Sequence, residues 1–173
     1  MYCAPGGEAS MADIAQSRLV VRRSIHIKAP PERVWKEFAS FERMDLWWGK
    51  TLGTPAAGTP KGQRLLAYEP RTGGHIEMEV IYQGTPLRYG GTIIAFEPNR
   101  ELTFECDWIP NQGWLRPTLV TIQLTPALDG TLVELFHYAF ERTGKNAGDE
   151  HAGYEGGWTM TQLNALRDRV TAG

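Results

Sequence analysis

Between Arg64 and Phe140 the sequence is a succession of short strand-forming runs. These are Arg64–Glu69, His75–Gln83, Gly91–Glu97, Glu101–Trp108, Thr118–Thr125 and Thr131–Phe140, separated by PRTGG, GTPL, PNR, IPNQGWLRP and PALDG. Separators this short join neighbouring strands as hairpins, because a parallel crossover needs about a dozen residues or more. The chain is thereby committed to an antiparallel meander. Upstream, RLVVRRSIHIK (Arg18–Lys28) places Leu19, Val21, Ile25 and Ile27 on one parity and Arg22, Ser24, His26 and Lys28 on the other, which predicts a half-buried strand. Arg23 falls on the apolar parity. It is read as ending in a bulge or pairing with a structural carboxylate, or else as a clamp for an acidic ligand.

A sheet with one apolar face needs a cover. After the first strand, APPERVWKEFASF puts Pro31 in a first helical turn and repeats Val34, Phe38 and Phe41 as an apolar stripe. A second short helix is predicted from Arg43 to Trp47, stopped at Gly49. GTPAAGTPKG (Gly53–Gly62) is loop by composition. From about Asp149 a last helix is expected to run to Val170, with Leu163, Leu166 and Val170 as its stripe. Residues 18–171 are read as one domain and 1–17 as a disordered lead-in.

Composition narrows the function classes. A net charge of -2 provides no basic field for nucleic acid or an anionic membrane surface. No run approaches the ~18 apolar residues of a membrane span. Cys3 and Cys106 have no metal-ligand spacing, and the chain reads as cytoplasmic with reduced thiols. His26, His75, His137 and His151 are scattered, so no metal site is expected, and no cofactor-binding motif is present.

Several motifs carry a family resemblance: IHIKAPPERVW (Ile25–Trp35), LWWG (Leu46–Gly49) and GTIIAFEPNRELTF (Gly91–Phe104), with DGTLVELFH (Asp129–His137) and GWTMTQLNALRDRV (Gly157–Val170) in agreement. Together they resemble the START-like, or SRPBCC, superfamily, and within it the AHSA1-like branch named after the activator of Hsp90 ATPase. The resemblance implies an α+β helix-grip fold: a seven-stranded curved antiparallel sheet wrapped around a long C-terminal helix, with two short helices after strand 1. It also implies a cavity between sheet and helix. Such folds bind apolar small molecules, some catalyse polyketide cyclisation or dehydration, and others act with a chaperone.

Strand parity proposes which side chains face that interior. The inward sets are Leu102, Phe104, Cys106 and Trp108; Val120, Ile122 and Leu124; Ile76, Met78, Val80 and Tyr82; and Val133, Leu135, His137 and Ala139. The last choice leaves Phe136, Tyr138 and Phe140 outward, so either the parity fails in that strand or the row meets a loop or a partner subunit; an outward row would favour a homodimer through the sheet. In the last helix Gly156 is counted onto the face toward the sheet, leaving room there, and Trp158 is counted off the stripe; alternatively the helix begins at Trp158. Trp48 is assigned to the rim near Trp114, with Trp47 in the core, against the alternative that both indoles cap the core edge.

The expected binding set is therefore Trp48, Met78, Tyr82, Phe104, Cys106, Trp108, Val120, His137, Gly156 and Met160. The leading expectation is a module that binds an apolar or aromatic small molecule. A cyclase, dehydratase or hydrolase using His137 with Tyr68 or Tyr82 is the alternative, and a chaperone cofactor ranks last.

Overall fold

The computed structural model describes Ile14, residues 19–49 and residues 63–173. The Gly53–Gly62 loop, Cys3 and the rest of the lead-in lie outside the described residues. The alternating runs form a seven-stranded antiparallel sheet in the order β1-β7-β6-β5-β4-β3-β2. The strands are β1 (Val21–Ile27), β2 (Gln63–Tyr68), β3 (His75–Tyr82), β4 (Thr85–Glu97), β5 (Glu101–Ile109), β6 (Thr118–Ala127) and β7 (Gly130–Tyr138). This is the α+β helix-grip architecture that the sequence predicts.

β4 begins six residues before the predicted Gly91, directly after a turn at Gln83–Gly84. Its early half contains Pro86, which reads as a strand breaker. Pro86 pairs only with Ile81 of β3, because the β5 pairing starts at Arg88↔Ile109, so the missing N–H falls where β4 has a single neighbour. Gly90 has φ +146°, and a Cβ there would meet the Ile76 carbonyl oxygen at 2.1 Å, so the close approach of β3 requires glycine.

Register aligns the apolar parities into rows. Ile93, Phe104, Val120, His137 and Val21 stand opposite one another across five strands, and all five are fully buried. Leu65, Met78, Tyr89 and Trp108 form a second row toward the β2 edge. Directly opposed residues share a face, so each row is a continuous apolar wall.

Helix α1 (Pro31–Trp35) continues as a 3-10 turn over Lys36–Phe38, and α2 (Phe41–Met44) as a π turn over Asp45–Gly49. The Ser40 hydroxyl caps α2 by accepting from the Arg43 N–H at 3.2 Å. The expected single C-terminal helix is two: α3 (Ala147–Gly157) and α4 (Thr161–Thr171), broken at Trp158–Met160. Leu163, Leu166 and Val170 of α4 enter the main core, as their spacing requires, whereas α3 buries none of its residues.

Arg23 accounts for part of that break. Its guanidinium donates to the carbonyls of Trp158 at 2.9 Å and Glu155 at 2.8 Å and to the Glu155 carboxylate at 3.2 Å. It is a helix C-cap reached from β1, where the carbonyls have no intrahelical partner and the helix dipole is negative. An arginine at the apolar parity of an edge strand is explained by that role.

The outward row on β7 is corrected. Ala139 adopts a left-handed conformation, φ 65°, which ends the strand and turns Phe140 back into the main core. Phe136 and Tyr138 do face outward, but they are buried in a second cluster with Leu119 and Ile14, a residue of the lead-in that is only 8% exposed. Beneath them Thr103, Thr121 and Tyr138 are linked by hydroxyl contacts of 2.8 and 3.1 Å.

Candidate functional site

The consecutive tryptophans fix one wall of the interior. Adjacent helical residues point about 100° apart, so both can be buried only where the turn is sandwiched between two surfaces. The π turn meets that condition. Trp47 packs against Phe38 at 5.1 Å between centroids and donates its N–H to the Glu37 carbonyl at 3.0 Å. Trp48 turns the other way, edge-on to Trp158 at 5.8 Å and Phe104 at 6.4 Å. Trp48 is therefore not a rim residue. It is fully buried, and Trp114 lies instead against Trp108 and Tyr154.

His137 sits at the centre of the wall with both ring nitrogens engaged. The Trp158 indole N–H donates to Nδ1 at 2.9 Å. Indole is only a donor, so the ring proton belongs on Nε2, which is 2.7 Å from the Thr118 hydroxyl; that hydroxyl in turn donates to the Cys106 carbonyl at 2.8 Å. Burial, reinforced by nearby His151, lowers the His137 pKa to about 3. The imidazole is a neutral junction with no free lone pair and no partner positioned to take its proton. The tyrosines considered as its companions do not reach it. Tyr68 donates to the Phe38 carbonyl at 2.8 Å, and Tyr82 ends β3 at the hairpin with 42% of its surface exposed.

The remaining predicted residues divide by position. Met78, Phe104, Cys106 and Val120 are fully buried on the inner face, and Trp108 is partly buried beside them. Burial pushes the Cys106 thiol up to about 12. Met160 lies in the break before α4 and packs against the main core. Gly156 does not face the sheet: it is exposed, and a Cβ there would meet nothing within 4 Å. The helical count that turned it inward assumes an unbroken helix through Trp158, and the break resets the phase.

Several wall residues escape the parity reading. Tyr89 lies on the early part of β4, between the GTPL turn and the strand predicted from Gly91. Burial, then the neighbouring Cys106, raises its pKa. Its hydroxyl accepts from the Gln63 amide at 2.7 Å, and the Gln63 oxygen accepts from the Gln162 amide at 2.8 Å. Tyr154 reaches in from α3, 4.3 Å from the His137 ring and stacked on Trp108 at 6.4 Å. The alternation in PLRYGG signals Tyr89 once the strand is extended back to Thr85. Nothing local signals Tyr154 on a helix without an apolar stripe.

A separate open groove of about 500 Å³ runs over the outer face along His75, Glu77, Gly90, Gly91, Glu105 and Asp107. Its acidic groups already have partners. Glu77 contacts Arg88 and His75, Glu105 faces Arg142 at 3.9 Å, and Asp107 accepts from the Asn111 amide at 2.7 Å. Among the described residues no group of three or more His, Cys, Asp or Glu could hold a metal ion, and no helix is long and apolar enough to cross a membrane.

Similar architecture occurs in solved structures. An Arthrobacter aurescens protein shares 19% identity with a TM-score of 0.65, over 90% of this chain and 87% of its own. An AHSA1-like protein from Aeromonas hydrophila shares 16% identity at a TM-score of 0.56, over 89% and 93% of the two chains. The Aha1 dimer from Colwellia psychrerythraea shares 17% at 0.54, over 88% and 96%. Identities this low show the fold alone. A search of curated proteins finds no match. The sequence profile described as "Activator of Hsp90 ATPase homolog 1-like protein" matches residues 28–170, from the end of β1 to the last turn of α4, and the chain belongs to that family.

Proposed function

We propose that the protein holds an apolar or aromatic small molecule between the sheet and the C-terminal helices. The carrying observation is how the inner wall is closed at the α3 end. Phe104, Cys106, Trp108, Val120 and Tyr89 form a wall with no charged side chain. Over it lies α3, an eleven-residue helix with no fully buried residue, with Ala147 and Tyr154 partly buried against the core, and with Gly153, Gly156 and Gly157 in its second half. Each glycine costs about 1 kcal/mol of helix stability relative to alanine.

Tyr154 is the ring that α3 inserts, between Trp108, Trp114, His137 and Phe140. Withdrawing one turn of a weak helix removes that ring and leaves an aromatic-lined space without disturbing the sheet. A planar apolar molecule is the occupant that matches Tyr154 in shape and in the contacts it leaves behind.

Native mass spectrometry of the protein as purified, followed by denaturation and identification of released compounds, tests this reading. A stoichiometric apolar compound, or saturable quenching of indole fluorescence across an apolar panel, is expected. A protein that is empty and quenches with no member of the panel overturns it.

A further inference from the structure

In the main core, two polar side-chain atoms are fully shielded from solvent yet unpartnered among the described residues: the Trp48 indole N–H and the Gln162 amide oxygen. Buried polar groups are almost always paired, and leaving one unmade costs about 1–3 kcal/mol. The neighbouring indoles show that this core can supply acceptors. Trp47 reaches the Glu37 carbonyl, and Trp158 reaches His137. Trp48, equally deep, donates to nothing among the described residues.

Gln162 is 9% exposed and ends a chain that runs through Gln63 to the Tyr89 hydroxyl. Reversing either amide does not close that chain, since two carboxamides leading to one hydroxyl always leave one end of Gln162 open. The π turn bearing Trp48 packs against both α4, which bears Gln162, and β2, which bears Gln63. The other unpartnered buried atoms, Nε of Arg142 and of Arg169, belong to partly exposed guanidiniums away from this wall.

Resting on the binding reading above, we infer that Trp48 Nε1 and the Gln162 carboxamide are the polar anchors of the interior, and that the ligand is an uncharged aromatic molecule carrying an acceptor oxygen, such as a ketone, for Trp48. A second polar group on it, such as a hydroxyl, pairs with Gln162. Charged ligands are disfavoured. No wall residue is cationic or anionic, and His137 is neutral with both nitrogens occupied, so a carboxylate or ammonium would be buried without a counter-charge.

Binding of 2-acetylnaphthalene, 6-acetyl-2-naphthol, 2-ethylnaphthalene and 2-naphthoate, measured by fluorescence titration and calorimetry, tests this assignment. The ketone is expected to bind about tenfold more tightly than the ethyl compound, the size of one net neutral hydrogen bond, and naphthoate most weakly. Trp48→Phe should bring the ketone-to-ethyl affinity ratio close to one, whatever the loss of indole packing does to both affinities together. Gln162→Met, which keeps the length of this buried side chain and removes its amide, should erase the extra affinity of the naphthol over 2-acetylnaphthalene, and it tests the anchors independently if Trp48→Phe fails to fold. Equal affinities for the ketone and ethyl probes overturn the anchors and leave the binding function standing. Binding of none of the probes overturns both.

Discussion

The indole of Trp158 donates to Nδ1 of His137 at 2.9 Å, and that bond pins the break between α3 and α4 to the middle of the sheet. It also fixes the imidazole tautomer, leaving Nε2 to donate to Thr118. Trp158→Phe keeps the ring contact with Trp48 but leaves a buried imidazole nitrogen without a donor. Chemical denaturation should show a loss of about 1–3 kcal/mol. Trp158→Phe combined with His137→Phe should lose less than the sum of the two single changes, because the second removes the orphaned acceptor.

A neutral His137 in the folded state makes stability depend on pH in a defined window. Its folded pKa is lowered to about 3, whereas an unfolded histidine titrates near 6.5. The unfolded chain therefore binds the extra proton first as pH falls. The contribution is complete above about pH 6.5 and is lost at about 1.4 kcal/mol per pH unit toward pH 3. Urea midpoints between pH 7.5 and 5 should fall accordingly, and His137→Gln should flatten the slope over that interval.

Much of this architecture is legible in the sequence because its signals are local. The two-residue alternation of Leu102, Phe104 and Cys106 places those side chains correctly, and so does the helical spacing of Leu163, Leu166 and Val170. What escapes depends on long-range contacts. Ala139 carries no mark of its left-handed backbone, although that backbone decides that Phe140 faces inward. Arg23 is unreadable without the α3 terminus it caps, 132 residues away. The same break undoes the helical count for Gly156. Trp48 is misplaced because adjacent indoles suggest one inside and one outside, whereas a π turn between two surfaces buries both.

Cys106 should be silent toward thiol reagents in the native protein. Its side chain has no exposed surface, and burial holds the thiol near 12, so almost no thiolate exists at pH 8. Peptide mapping after alkylation with iodoacetamide should find Cys106 unmodified under native conditions and fully modified in denaturant. Native labelling at a rate approaching that of a free thiol would show that the wall opens far more often than the weak α3 cover requires.

The glycines of α3 supply the last prediction, because they separate stability from access. Cβ atoms at Gly153 and Gly156 would meet nothing within 4 Å, so alanine fits both positions without a clash. Alanine also narrows the unfolded ensemble and favours the helix, and each substitution should stabilise the protein by about 0.4–1 kcal/mol. If Tyr154 must withdraw with α3 before a ligand can reach the wall, a firmer helix slows that step. Gly153→Ala/Gly156→Ala should then raise the melting temperature and reduce the association rate of 2-acetylnaphthalene several-fold in stopped-flow fluorescence. A raised melting temperature with an unchanged association rate would mean that ligands reach the interior by another route. In that case Tyr154→Ala, which removes the inserted ring itself, should also leave the rate unchanged.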